Sequence, residues 1–211
     1  GYCLGGTIAA IYTALYPKKV KNLLCMTTPI DFSKGDLFTQ WSKEEYLDAD
    51  RIVETFKIVP PDFLEGSFQL KNLAGNFWKP QTFYDGLKSK DFLVNYFAME
   101  GWNSDNVPIV GKIWAEVVKD LYQKNSLINE QFKVNGKTVK LSNITGSVLN
   151  IVATRDNIVP PDCAFPLIDK VSSKDAHNLV IDGGHIGIVA GGIAAKRLWP
   201  GVNEWLSPRS S

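Results

Sequence analysis

The first five residues, Gly1-Tyr2-Cys3-Leu4-Gly5, restrict the possible folds of this chain more than any other segment. They match Gly-x-Ser-x-Gly, the pattern of a nucleophile elbow between a strand and a helix, with cysteine in place of serine. The glycines on either side of the cysteine let neighbouring backbone pass close to the strained turn. The N-terminus of the following helix favours a thiolate and an oxyanion at this position. Cys3 is therefore a candidate nucleophile, and the Leu4 N–H is a candidate oxyanion-hole donor.

Short apolar runs that alternate with helical patterns lie on both sides of a long middle segment. Runs typical of buried parallel strands occur at 22–28, 148–153 and 178–181. Helices are predicted at 5–16, 161–171 and 202–206. Because strands alternate with helices, the pattern indicates βαβ units and a parallel sheet, which is an α/β fold.

The middle segment is rich in aromatic residues and has mainly helical patterns. A capping box at Ser42 and Glu45 predicts a helix over 42–56. Further helices are predicted at 91–100 and 107–122. This segment is interpreted as a cap inserted into the α/β core, with aromatic side chains that form its interior.

A β-hairpin is predicted near the end of the middle segment. Residues 132–141 alternate around Asn135-Gly136, the preferred turn of a two-residue hairpin. We therefore divide the chain into the elbow and first part of the core at 1–30, a helical cap at 31–145 and the second part of the core at 146–211.

Chain order supplies candidates for the two partners of the cysteine. In the α/β-hydrolase fold, the acid of the triad follows a late strand and the histidine follows the next one. Asp156 directly follows the second predicted strand, and His185 directly follows the third. The other histidine, His177, lies in a charged stretch typical of a solvated helix end. We predict a Cys3–His185–Asp156 triad, although each residue taken alone also fits a structural role.

Composition excludes several classes of function. Lys and Arg number 23 against 22 Asp and Glu, which argues against a nucleic-acid-binding protein. The longest uncharged apolar run, 186–195, contains three glycines and is too short to span a bilayer. The three cysteines form neither a disulfide framework nor a metal cluster, and Cys25 and Cys163 are expected to be packing residues. We therefore expect a reducing, cytoplasmic location, no metal and no membrane span.

A cysteine nucleophile favours acyl transfer from a thioester. When a thiol attacks a thioester, it exchanges one thioester for another, and the acyl group stays activated for a second transfer. An ester on serine would be lower in energy and better suited to hydrolysis. The residue type thus indicates an acyl thioester substrate and transfer in preference to hydrolysis.

Several motifs together resemble one enzyme family along the whole chain. The motifs are GYCLGG at 1–6, TPIDF at 28–32, WNSDNVP at 102–108, LYQKN at 121–125, VLNI at 148–151, IVPPD at 158–162 and GGHIGI at 183–188. They resemble the catalytic subunit of polyhydroxyalkanoate synthase, most closely the class III type, whose lipase-like box is Gly-x-Cys-x-Gly-Gly.

The resemblance implies an α/β-hydrolase core with a mobile helical cap and a defined reaction. The enzyme would polymerise (R)-3-hydroxyacyl-CoA, such as 3-hydroxybutyryl-CoA, into polyester and release CoA, with no cofactor. Cys3 would hold the growing chain as a thioester and His185 would deprotonate Cys3. Asp156 would either orient His185 or help to activate the 3-hydroxyl of the monomer. Members of the family act as homodimers or with an accessory subunit, at the surface of polyester granules in the cytoplasm.

Two departures from the family pattern qualify these expectations. The family usually has histidine after the aspartate, whereas this chain has Asn157. The chain also begins at the elbow and without methionine. It is therefore expected to be an N-terminally truncated fragment without the loop that supplies the second oxyanion donor. We expect the 211-residue chain alone to be poorly stable and inactive.

Other interpretations are open at this point. A hydrolase of the dienelactone-hydrolase kind can carry the same GYCLGG string, and a thioesterase can use the same triad. Dienelactone hydrolases are compact, whereas 153 positions separate Cys3 from Asp156 here and leave room for a large cap. A degenerate hydrolase fold used as a binding module would be expected to have lost a triad residue, and none is lost.

Overall fold

The computed structural model describes residues 1–71 and 73–210. Asn72 in the predicted cap and Ser211 in the predicted second core segment lie outside the described residues. The strands are β1 (Asn22–Met26), β2 (Ile58–Val59), β3 (Ile109–Val110), β4 (Lys133–Val134), β5 (Lys137–Thr138), β6 (Ser147–Ala153) and β7 (Ala176–Ile181). The α-helices are α1 (Leu4–Leu15), α2 (Leu37–Trp41), α3 (Ala49–Phe56), α4 (Pro61–Lys71), α5 (Leu73–Gly86), α6 (Lys90–Ser104), α7 (Gly111–Glu116), α8 (Pro161–Ala164), α9 (Pro166–Lys170), α10 (Gly191–Ile193) and α11 (Trp199–Leu206). Val117–Gln123 and Ala194–Leu198 are π-helical, and short 3₁₀ turns lie at Pro17–Lys19, Phe32–Lys34, Leu141–Asn143 and Ser207–Arg209.

The chain forms two compact units. The first combines Gly1–Tyr46 with Lys119–Ser211, and the second is Leu47–Val118. The second unit lies within residues 31–145, which the sequence analysis assigned to the cap. The bounds of the cap stay a prediction.

A parallel sheet in the order β1-β6-β7 forms the centre of the first unit. Met26 pairs with Ile151, and Ala153 pairs with Ile181. The strand predictions are confirmed, and β6 is almost fully buried because it lies between the two others. The carboxyl ends of all three parallel strands meet at one edge of the sheet.

The elbow extends this sheet beside β1. Gly1 N donates to Leu24 O at 2.7 Å, Met26 N donates to Gly1 O at 2.9 Å, and Cys3 N donates to Met26 O at 2.9 Å. This is the hydrogen-bond pattern of a parallel ladder, and it places Cys3 at the carboxyl edge of the sheet.

Apolar side chains cover the sheet. One cluster of buried residues consists of Leu149, Ile151, Ala153, Ile181, Ile188, Leu198 and Trp205. Trp205 belongs to α11, so the helix predicted at 202–206 is confirmed and covers one face of the sheet. Each fully buried Ile or Leu contributes about 2 kcal/mol through loss of contact with water.

One helix prediction in the first unit is wrong, and the hairpin prediction is confirmed. The single helix predicted at 161–171 is wrong, because the structure has α8 and α9 there. Pro166 begins α9 and has no amide hydrogen with which to continue a helix from α8. The predicted hairpin is confirmed as β4 and β5, with φ values of 49° at Asn135 and 77° at Gly136.

The second unit has its own small core. Ala49, Val59, Trp114, Ala115 and Val118 are buried together, and β2 pairs with β3 in antiparallel orientation. The helix predicted at 107–122 therefore begins later, at Gly111, after a strand that the sequence analysis did not identify.

The predicted capping box is wrong. The hydroxyl of Ser42 donates to Phe38 O at 2.6 Å, in the last turn of α2. The helix α3 instead begins after Asp48, whose carboxylate accepts the Arg51 N–H at 3.0 Å. Ser42 and Asp48 were both possible N-caps for this helix. In the structure Asp48 is the N-cap, because its carboxylate accepts an amide of the first turn.

The aromatic residues of α5 and α6 do not form a core as expected. Phe77, Trp78, Tyr84, Phe97 and Trp102 are each more than half exposed. The apolar residues of α5 and α6 are spread around each helix axis and do not form one apolar face. A neighbouring element that packs on one side therefore cannot cover all of them.

Candidate active site

Cys3 occupies a strained turn directly before α1. Its φ is 52° and its ψ is −130°, a conformation that costs energy for any residue with a β-carbon. A β-carbon at Gly1 would lie 2.6 Å from Gly6 Cα, and one at Gly6 would overlap the side chain of Thr28. At Gly5, apart from its chain neighbours and the nearby backbone of α1, no atom of the described residues lies within 4 Å of the β-carbon position. The close approaches therefore involve Gly1 and Gly6, whereas the sequence pattern pointed to Gly1 and Gly5.

Leu4 is the first residue of α1. Gly6 N and Thr7 N donate to Cys3 O at 2.9 and 3.3 Å, but no acceptor in the described residues takes the Leu4 N–H. The first amides of a helix have no intrahelical acceptor and can bind an anion. The position of Leu4 agrees with the predicted oxyanion role, which stays a prediction.

Asp156 and His185 lie at the carboxyl ends of adjacent strands and are in direct contact. His185 Nδ1 is 2.6 Å from Asp156 Oδ2, and the Asp156 side chain is fully buried. Asp156 Oδ1 accepts the N–H groups of Ile158 and Val159, both at 2.8 Å. Both carboxylate oxygens are therefore occupied, and the imidazole is held from one side.

Cys3 is the second partner of the imidazole. Burial lowers the pKa of His185, but hydrogen bonds with Asp156 and Cys3 and the charges of these two groups outweigh it and raise the pKa to about 9. A negative charge and a hydrogen-bond acceptor beside the ring both stabilise the imidazolium form. The structure thus brings together the three side chains that chain order predicted, with His185 in the middle.

Tyr2 is a member of the site that the sequence analysis did not assign. Its hydroxyl donates to His185 O at 3.2 Å, and the two ring centroids are 4.9 Å apart at 41°. Burial and the charges of Cys3 and Asp156 raise the pKa of Tyr2 well above its usual value. The only indication of this contact in the sequence was that Tyr2 directly precedes Cys3.

The remaining candidates lie outside this cluster. Cys25 and Cys163 are buried, and burial raises the pKa of the Cys25 thiol to about 12, so it stays neutral. His177 is exposed and lies in β7, where it bonds to Asp175 at 2.8 Å, so the predicted helix end is wrong. Asn157 is exposed and directly follows Asp156.

The described residues contain neither a cluster of metal ligands nor a membrane-spanning helix. Residues 1–71 and 73–210 contain no group of three or more His, Cys, Asp or Glu side chains that could hold a metal ion. None of the helices in this part of the chain is both long and apolar enough to cross a bilayer.

Curated relatives share similarity with the whole chain. The chain is 34% identical over 213 residues to the poly(3-hydroxyalkanoate) polymerase subunit PhaC of Haloarcula marismortui, covering 100% of this chain and 45% of the relative. It is 37% identical over 212 residues to the subunit of the same name from Thiocystis violacea, covering 100% of this chain and 59% of the relative. The chain therefore spans about half the length of these relatives.

A solved structure and a family model agree on the fold. A monoacylglycerol lipase from Paleococcus ferrophilus superposes with a TM-score of 0.59 at 17% identity, over 99% of this chain and 67% of the lipase. The family model described as alpha/beta hydrolase fold matches residues 1–191. The chain belongs to the α/β-hydrolase fold family, and the similarity of all of its residues to part of the poly(3-hydroxyalkanoate) polymerase subunits confirms the resemblance inferred from its motifs.

Proposed function

We propose that this chain carries the catalytic centre of a poly(3-hydroxyalkanoate) polymerase that uses a cysteine-bound acyl thioester. The substrate is (R)-3-hydroxyacyl-CoA, with 3-hydroxybutyryl-CoA as the expected monomer, and the products are polyester and CoA. The observation that carries the proposal is the joining of Cys3, His185 and Asp156 in one compact unit of a chain similar to named polymerase subunits.

The first step loads the acyl group on the enzyme. His185 takes the proton of the Cys3 thiol, and the thiolate attacks the thioester carbonyl of the substrate. The oxyanion that forms would accept a hydrogen bond from the Leu4 N–H. The bond from carbon to the CoA sulfur then breaks, and His185 returns the proton to CoA. The result is acyl-Cys3 and free CoA.

The second step forms the ester bond. The 3-hydroxyl of one acyl unit attacks the thioester carbonyl of another, the carbon–oxygen bond forms and the carbon–sulfur bond breaks. His185 accepts the hydroxyl proton and passes it to the departing sulfur. The reaction balances without a cofactor, since the CoA thioester supplies the activated acyl group.

The surroundings of Asp156 support an orienting role. Its side chain has no exposed area, one oxygen bonds to His185 and the other accepts two backbone N–H groups. A carboxylate in this position can fix the imidazole and stabilise its charge, whereas a monomer hydroxyl would have to displace an existing hydrogen bond.

Partners and location are proposed from the family resemblance. We expect a homodimer, a complex with an accessory synthase subunit, or both, at the surface of polyester granules in the cytoplasm. Because the chain spans 45% and 59% of two relatives, we expect the 211-residue chain alone to be inactive.

The test uses the complete gene product that contains this chain, with and without an accessory subunit. It is supplied with (R)-3-hydroxybutyryl-CoA, and thiol release and insoluble polymer are measured in parallel. We expect both in the wild type and in Cys163→Ala, and neither in Cys3→Ala. Thiol release with free 3-hydroxybutyrate and no polymer would instead identify a thioesterase and contradict the proposal.

A further inference from the structure

Tyr2 connects the elbow to the segment that carries the imidazole. Its backbone forms a parallel bridge with Met26, so its position is fixed by the sheet. Its hydroxyl crosses to the backbone carbonyl of His185, 183 positions away in sequence. No other donor in the described part of the chain bonds to this carbonyl.

The ring of Tyr2 restricts the imidazole from a second direction. The centroid distance of 4.9 Å and the tilt of 41° place the two rings in van der Waals contact. Asp156 holds the Nδ1 side of the same imidazole. Three contacts thus restrain His185: one at its backbone carbonyl, one at Nδ1 and one along a face of its ring.

We propose that Tyr2 is a positioning residue, whose hydroxyl and ring keep the His185 imidazole within hydrogen-bonding distance of Cys3. The inference rests on the proposed function only in taking Cys3 as the nucleophile. Because Tyr2 precedes Cys3 directly, one short segment fixes both the sulfur and the backbone of its base.

The hydroxyl stays a neutral donor under working conditions. Burial and the nearby charges of Cys3 and Asp156 oppose ionisation of the phenol. The titratable groups that act on His185 are Asp156 and Cys3, and both are retained when only the Tyr2 hydroxyl is removed.

The experiment compares Tyr2→Phe with wild type and with Tyr46→Phe in the complete gene product. Tyr46 is 71% exposed, so its variant controls for loss of a phenol hydroxyl. Cys3 is alkylated with iodoacetamide across pH 5 to 9.5, and the modified peptide is quantified by mass spectrometry. We expect alkylation of Tyr2→Phe at pH 7 to be about fivefold slower, the factor expected for one lost hydrogen bond. The pH midpoint should also move upward, and Tyr46→Phe should match wild type.

A Tyr2→Phe alkylation profile that superimposes on the wild-type profile would overturn the proposal. If the thermal midpoint of that variant were also lower, the role of Tyr2 would be merely structural. Polymer formation is scored separately, so failure of the polymerase proposal would show as absence of polymer while alkylation still reports on Tyr2.

Discussion

Replacement of Asp156 by Asn distinguishes the two roles that the family resemblance allows for this carboxylate. The amide keeps the shape of the side chain and an acceptor oxygen for the N–H groups of Ile158 and Val159. It removes the negative charge and places an NH₂ group against His185 Nδ1, where the wild type has a 2.6 Å hydrogen bond. Two donors then face each other, and the imidazolium loses its main support.

The magnitude follows from the pKa of His185. Its rise from 6.5 to about 9 corresponds to about 3 kcal/mol of preference for the imidazolium. The hydrogen bond to Asp156 is the largest of the interactions that raise this pKa, so we assign more than half of the preference, roughly 2 kcal/mol, to the carboxylate. A loss of that size lowers the population of the thiolate–imidazolium pair, and with it the rate of any reaction of the thiolate, by about 30-fold.

The assay measures two rates in the complete gene product. Cys3 alkylation by iodoacetamide at pH 7 reports on the cysteine–histidine pair, and CoA release reports on turnover. If Asp156 orients His185, both rates of Asp156→Asn fall by about 30-fold or more. The control is Asp182→Asn, since Asp182 pairs with Arg155 at the surface, and both of its rates should equal those of wild type.

An Asp156→Asn enzyme with alkylation within about threefold of wild type would refute this reasoning. If CoA release were nevertheless lost in that enzyme, the carboxylate would act on the monomer hydroxyl instead.

The remaining predictions concern stability and its dependence on pH. Gly6→Ala should cost about 1–3 kcal/mol of unfolding free energy in thermal denaturation, because the new methyl overlaps a buried side chain; Gly66→Ala, which meets no atom within 4 Å, should not, and equal losses would contradict the packing argument. The raised pKa of His185 gives stability that is fully present below its usual value of 6.5 and is lost as pH rises through about 9. The thermal midpoint of wild type should therefore fall over this interval more than that of His185→Gln, and parallel curves would show that the imidazole is not responsible. Arg209 bonds to both oxygens of Asp175 and holds the pKa of that carboxyl far below its usual range, so this contribution is present at neutral pH and lost in acid. Arg209→Gln should lower the thermal midpoint at pH 7, and the difference should shrink as pH falls below the usual carboxyl pKa of 3.8; a difference that stays constant down to pH 2 would point to another cause.

Packing decided the features of the second unit that the sequence analysis predicted incorrectly. The aromatic residues of α5 and α6 were expected to be buried, but Phe77 and Trp78 are 75% and 62% exposed. Composition measures how much apolar surface a segment carries, whereas burial depends on whether that surface forms one face. The helix predicted from Ser42 failed for a related reason, since a capping pattern specifies a possible hydrogen bond and the fold selects among the possible ones.

The sequence by itself determined the parts of the site that depend on local order. The Gly-x-Cys-x-Gly turn, the buried strand runs and the positions of Asp156 and His185 directly after their strands are short-range patterns. In a parallel sheet, these positions fall at one edge whatever the intervening segments do. Only the tertiary structure decided that Tyr2 bonds to the backbone of His185 and that Asp156 Oδ2 bonds to its imidazole. These two hydrogen bonds join residues that are distant in sequence through side-chain directions and burial, which no local pattern encodes.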